Sequence, residues 1–363
     1  MPAPDLDDTS LGGELSVLTA LIKRGPLARS ELAALRGESL PQMTRLCRPL
    51  IEAGLVVETL GPPDGPGRPR RPLAVRGEAL HVAGVAVKRG RAAGVVMDLL
   101  GDVVSDSAVA MPADGVQAVV AAVGEVVEEL TAAGHGLAGL GVTVEGGLLR
   151  ESPGAPGLAE LIGSVTGLPT VIETEVGAAI DAEQWFGARS ERDNFVLLAL
   201  GEEIGFGAVV NGQRLRVSGA DLISHHPLDP HGPICAAGHQ GCADMLTVRS
   251  LRRVAGRALR RPLDFDRLLA RADHPAINPV LTRAATMLGR LMTAAATFLQ
   301  ADHVILTGTT AELVKVAPAA VDAGLALDLG PSVSPVDYEY QPATDLMWAR
   351  GAAAAALAGR LAR

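Results

Sequence analysis

The sequence has no apolar run approaching the roughly 20 residues needed to span a bilayer. Its first residues, MPAPDLDDTS, carry neither the basic flank nor the apolar stretch of a secretory leader. A cytoplasmic chain with no membrane partner is therefore expected. Cysteine is scarce: there are three in 363 residues, Cys47, Cys235 and Cys242. An odd number in a long chain argues against a disulfide framework, so the close pair Cys235 and Cys242 needs another reason, and metal is the first to consider. Net positive charge is also missing, since 32 Lys and Arg face 41 Asp and Glu for a balance of -9. Phosphate binding draws on clustered cations, so contact with nucleic acid depends on where the basic residues sit. The sequence shows no period repeat and no low-complexity tail.

What is present is a large apolar content, 48% of the residues, enough for two or three packed units. Leu11, Leu15, Leu18, Leu21 and Ile22 fall at three-to-four spacing and predict an amphipathic helix that Gly25-Pro26 stops. A short helix over 29–35 follows, Gly37 makes a turn, and Ser39 with Gln42 three residues on predicts the capped start of a third helix. That helix turns Leu40, Met43, Leu46, Cys47, Leu50 and Ile51 inward, and Pro49 predicts a kink or early end within it. Strands over 55–58 and 73–75 flank a loop rich in Pro, Gly and Arg. Three helices and a hairpin make a winged helix-turn-helix. From Val82 onward, strands are predicted over 82–87, 92–98, 140–144, 170–172, 195–200, 207–210 and 304–307, separated by helical stretches that include 279–300 and 345–361. Such alternation predicts an α/β body.

The outward face of the third helix carries Gln42, Thr44, Arg45 and Arg48, the donors and acceptors that read base edges and phosphates in a major groove. A solvated helix face is the plain alternative, and the preceding turn and following wing weigh against it. In GPGRPRRP, residues 65–72, Arg68, Arg70 and Arg71 on a stiff backbone suit a narrow minor groove. The same segment also suits an interdomain linker.

Taken together, the segments GPLARSELAALRGESLPQMTRLCRPLIEAGLV, GRPRRPLAV, LPTVIETEVGAAIDAEQWFG, LGEEIGFGAVVNGQRL and HPLDPHGPICAAGHQGCADML resemble, in order and spacing, the ROK family of repressors and sugar kinases. The resemblance covers nearly the whole chain. It implies a two-lobed actin-like (ribonuclease H-like) body behind the winged helix: 1–78 as DNA-binding domain with linker, 79–183 plus 340–363 as one lobe, and 184–339 as the other.

It also implies where kinase chemistry would sit, and there the sequence departs from the family pattern. The first phosphate loop needs an Asp for Mg²⁺ and small residues near phosphate. Here Ala86 stands at the Asp position and Lys88-Arg89 fill the glycine positions. The second loop carries Glu202-Glu203, two carboxylates facing where a triphosphate would lie. The catalytic Asp is replaced by Glu175 and its Asn neighbour by Thr174. The sugar-binding Glu is replaced by Leu222, while His225 remains and a later carboxylate is shortened to Asp244. No ATP binding and no kinase activity are expected. Glu175, His225 and Asp244 remain as candidates for binding a sugar or sugar-phosphate effector, against the alternative of structural carboxylates on a scaffold.

The family's zinc site uses one His and three Cys. This chain supplies His225, Cys235 and Cys242, with Ala237 at the middle cysteine. The fourth ligand stays open among His239, His231, His226 and a water, and the other reading is a decayed site with buried thiols. The expected partner is a double-stranded operator with an inverted repeat, bound by a homodimer or a dimer of dimers.

Overall fold

The computed structural model describes residues 12–60, 71–145, 148, 157–187, 192–215 and 223–361. They form two compact units, Met1–Glu191 with Thr344–Arg363 and Arg192–Ala343.

The first unit begins with three helices, α1 (Gly12–Arg24), α2 (Arg29–Arg36) and α3 (Leu40–Glu52), and a hairpin of β1 (Val56–Glu58) and β2 (Leu73–Val75). Each break has a local cause. Gly25 and Gly37 take left-handed backbone, at φ 76° and 66°, which closes α1 and α2 without a Cβ penalty. Ser39 Oγ accepts from the Gln42 amide at 3.4 Å and starts α3. Met43, Leu46, Cys47 and Leu50 are buried at helical spacing. The hairpin pairs Val56 with Val75 and Glu58 with Leu73, and Leu27 adds a bridge to Leu73. Pro49 does not end α3, which runs on to Glu52. Proline removes one donor, to the Arg45 carbonyl, and the helix has only three residues left beyond it, so little of the ladder is lost.

The body of this unit is a five-stranded sheet, built from β3 (His81–Lys88), β4 (Arg91–Asp98), β5 (Val103–Ala110), β6 (Leu137–Val144) and β7 (Thr170–Glu173) in the order β5-β4-β3-β6-β7. The β3-β4-β5 meander is antiparallel, and β6 and β7 add in parallel. Ala83, Val85 and Val87 join one core with α4 (Val116–Ala132) and α5 (Leu158–Thr166). On the other side of β3 and β6, Gly84 and Gly141 face the backbone of the last helix, Asp345–Leu361, whose alanines approach so closely that any Cβ would collide. A further helix, α6 (Glu175–Phe186), packs beside that last helix.

The second unit repeats the plan. β8 (Phe195–Leu200), β9 (Ile204–Val210), β10 (Gln213–Arg214), β11 (His303–Thr307) and β12 (Asp337–Gln341) are ordered β10-β9-β8-β11-β12, again an antiparallel meander followed by parallel strands. Its helices are α7 (Val248–Leu259), α8 (Phe265–Leu269), α9 (Asn278–Leu299), α10 (Leu313–Val316) and α11 (Pro318–Ala326), and the terminal helix of the chain is α12. The repetition is topological and leaves no sequence period. Among the described residues, no helix is long and apolar enough to cross a membrane.

Candidate functional site

Because α3 buries Met43, Leu46, Cys47 and Leu50, its geometry turns Gln42, Thr44, Arg45 and Arg48 to solvent together. The four are not equally available. The Thr44 hydroxyl donates to the Leu40 carbonyl at 2.9 Å, and Arg48 Nε pairs with Glu52 Oε1 at 2.6 Å. Beside this face, Glu58 in the wing accepts from Arg29 at 2.7 Å and from Arg71 at 3.4 Å, and the Arg29 guanidinium holds its carboxyl below the usual range. Arg71 is thereby anchored at the root of the wing loop, whereas Arg68 and Arg70 lie outside the described residues. Lys23 Nζ sits 5.3 Å from the Trp185 ring centroid, joining α1 to α6 of the body.

At the β3-β4 turn, Lys88 Nζ pairs with Glu175 Oε1 at 3.0 Å and lies 5.2 Å from the Trp348 ring centroid. Glu175 stands on the first turn of α6, capped by Thr174 Oγ1, which accepts from the Gly177 amide at 3.1 Å. The remaining cations of this turn are also engaged. The Arg89 amide donates to Glu145 at 2.9 Å, the Arg89 guanidinium pairs with Asp114, and Arg91 pairs with Asp345 at 2.7 Å. The carboxylate at the base position thus meets an ammonium from the chain's own loop. The sequence marks Lys88 as a bulky cation, but nothing in its spacing from Glu175 reveals the pair.

In the second unit, His225 Nδ1 lies 3.7 Å from Cys235 Sγ and 3.6 Å from Cys242 Sγ, and His239 Nδ1 lies 3.8 Å from Cys235 Sγ. All four donor atoms fall within 4.8 Å of one another. A tetrahedral ion with the usual zinc–sulfur and zinc–nitrogen lengths spaces S and N by roughly 3.6 Å, so this set fits zinc. His226 and His231 are not in the group. Backbone pairing makes the cluster: the Cys235 amide donates to the His239 carbonyl at 2.9 Å, and the Leu228 and Asp229 amides both donate to the Gly241 carbonyl. Gly241, at φ 56°, leaves no space for a Cβ against the Asp229 carbonyl. The Asp229 carboxylate pairs with Arg283 of α9 and caps the His231 amide, and these contacts hold its pKa below the ordinary value. Burial pushes the Cys242 thiol up to about 11, so a metal that takes both sulfurs must displace that proton. Asp244, two residues on, is buried and pairs with Arg249 Nη2 at 3.0 Å. Neither the Arg249 partner nor the Asp229–Arg283 clamp carries a sequence signal, because both depend on how helices after the loop fold back onto it.

The sequence profile described as "ROK family" matches residues 82–357. The chain belongs to the ROK family. It is 26% identical over 241 residues to the DNA-binding transcriptional repressor Mlc of Escherichia coli, covering 61% of this chain and 59% of that one. It is 23% identical over 244 residues to the xylose repressor of Bacillus subtilis, covering 63% and 64%. The matches thus span about three-fifths of the length of these two repressors. Among solved structures, a ROK family transcriptional regulator described as a homologue of the E. coli Mlc protein superposes with a TM-score of 0.76 at 20% identity, covering 98% of each chain. At that identity the likeness shows the fold. Sugar kinases of the family match as well. The α/β ROK fold expected from the sequence is therefore the one present, with helices ahead of it.

Proposed function

We propose that this ROK protein is a sequence-specific DNA-binding transcription regulator, a repressor by type, acting in the cytoplasm, whose body does not transfer phosphate. The observation that carries the reading is α3: a capped helix after a tight turn, followed by a two-stranded wing, with Gln42 and Arg45 presented to solvent and Arg48 beside them. Arg45 and Gln42 read base edges, Thr44 and Arg48 support them at the backbone, and Arg68, Arg70 and Arg71 follow the minor groove. In this division residues 1–78 read DNA, while 79–183 with 340–363 and 184–339 form the two lobes of the body. Two copies pair so that their recognition helices meet half-sites about 34 Å apart on an inverted repeat.

The absence of kinase chemistry is supported by Lys88, which neutralises Glu175 where a base would be needed, and by Glu202 and Glu203 in the second loop. His225, Cys235, His239 and Cys242 would hold zinc, with His239 in place of the missing cysteine. Two thiolates and two neutral imidazoles bind the ion with no net charge, and the ion fixes the loop that carries Asp244.

An effector of sugar type at Glu175, His225 and Asp244 fits the repressor relatives. The Lys88–Glu175 and Arg249–Asp244 pairs favour a second reading, in which the body is a scaffold and no effector is sensed. Thermal unfolding with monosaccharides, disaccharides and their phosphates separates the two, since a ligand of the folded state raises the Tm. The regulator reading is tested by a mobility shift with DNA from upstream of the chain's own coding sequence. A sequence-specific complex at moderate salt is expected. Its absence, or ATP turnover with a hexose or amino sugar, overturns the reading.

A further inference from the structure

Residues 249–261 hold six arginines and no carboxylate in a chain whose overall balance is -9. Three of them, Arg249, Arg252 and Arg253, line a cavity of about 290 Å³ with Glu202, Pro262 and Leu263. All three lie in the first two turns of α7, which has no acidic residue in its first turn. Cations at a helix N-terminus oppose the macrodipole, so this placement raises the positive potential in the cavity. Each guanidinium has five N–H donors, and the protein occupies few of them. Arg249 bonds Asp244 at 3.0 Å; Arg252 bonds the Leu263 carbonyl at 3.3 Å and Asp264 at 3.4 Å; Arg253 bonds the Ile234 carbonyl at 3.0 Å and Ser250 Oγ at 3.3 Å. These bonds fix the side chains around the space and leave forked donors open to it.

We infer that this cavity binds a small phosphate monoester. Three guanidiniums against the one carboxylate of Glu202 leave a surplus of two positive charges, which matches a phosphate monoester at neutral pH. Guanidinium forks are built for phosphate oxygens. The volume lies at the lower end of small-ligand sites and limits the organic part to about the size of a single sugar ring, for which Pro262 and Leu263 supply an apolar wall. The site belongs wholly to the second unit and does not depend on the regulator reading. It is also wired to the metal loop: Arg253 holds the carbonyl just before Cys235, and Arg249 holds Asp244 just after Cys242.

The test is isothermal titration of the full chain, at fixed ionic strength, with glucose 6-phosphate, inorganic phosphate and glucose. Saturable binding of glucose 6-phosphate is expected, with none of glucose; binding of inorganic phosphate alone would place the recognition in the phosphate and not the sugar, and still support the site. The double variant R252Q/R253Q is expected to weaken binding at least about tenfold through loss of charge-assisted bonds, while R257Q/R260Q on the same helix leaves it within about twofold. Glu202→Gln works in the opposite direction and tightens binding about threefold or more by removing the opposing charge, so a failure of the arginine variants to fold does not shield the inference. No saturable binding of either phosphate, equal loss in both arginine variants, or weaker binding in Glu202→Gln overturns it. So does a chain whose R252Q/R253Q variant loses only affinity for duplex DNA.

Discussion

Four side chains between residues 225 and 242 make the metal reading testable one at a time. His239 is the sharpest of them, because it stands outside the family's cysteine pattern yet places Nδ1 3.8 Å from Cys235 Sγ. His239→Ala is expected to weaken zinc binding at least about 100-fold, read by competition with a chromogenic chelator, and Cys242→Ser to do the same. Unchanged affinity in both would return the loop to plain buried thiols. The sequence exposed three ligands by register but left the fourth open among His239, His231, His226 and water, since choosing between them needs the turn that Gly238 and Gly241 make. Asp229 carries a second prediction. Arg283 lowers its carboxyl pKa below the ordinary 3.8, so the pair stabilises the fold above that value and the contribution disappears as pH falls through the lower folded pKa. Asp229→Asn is expected to cost about 1 kcal/mol at pH 7, modest because Arg283 is half exposed, and the gap to the parent should narrow below pH 4 in urea unfolding. A gap that stays constant across this range would contradict the pair.

At the level of elements, close approach matters more than charge. Gly84 of β3 and Gly141 of β6 allow α12 to lie against the sheet, and an added Cβ would meet the Ala349 carbonyl at 2.0 Å and the Ala352 carbonyl at 1.8 Å. Gly141→Val is expected to destabilise the chain by more than about 3 kcal/mol, measured by denaturant titration, while Gly136→Val, where nothing lies within 4 Å, should cost far less. Comparable losses at both positions would contradict the packing account. Most elements were legible from periodicity: α3, β8 and α12 fall where apolar spacing puts them. β5 and β12 were not. Both are edge strands, with polar sequences VVSDSAVA and DYEYQ and largely open faces, so neither shows the apolar run by which the inner strands are recognised. The Gly84 and Gly141 contacts with α12 are invisible in sequence for a related reason, because they join positions more than 200 residues apart.

For the whole molecule, an acidic chain binds DNA only if its cations are concentrated where the duplex lies, and α3 with the wing root supplies that concentration against a balance of -9. The body contributes carboxylate–cation pairs at Glu175 and Asp244 where a kinase would need free groups, which places the chain with the regulators of its family. The most direct measurement is fluorescence anisotropy at physiological salt, comparing an inverted-repeat site selected from the upstream DNA with a scrambled duplex of the same composition. The account predicts at least about 1,000-fold preference for the selected site, with Arg45→Ala losing about 1–3 kcal/mol on that site and far less on the scrambled one. Equal affinity for the two duplexes, or an Arg45→Ala variant indistinguishable from the parent on both, would contradict it.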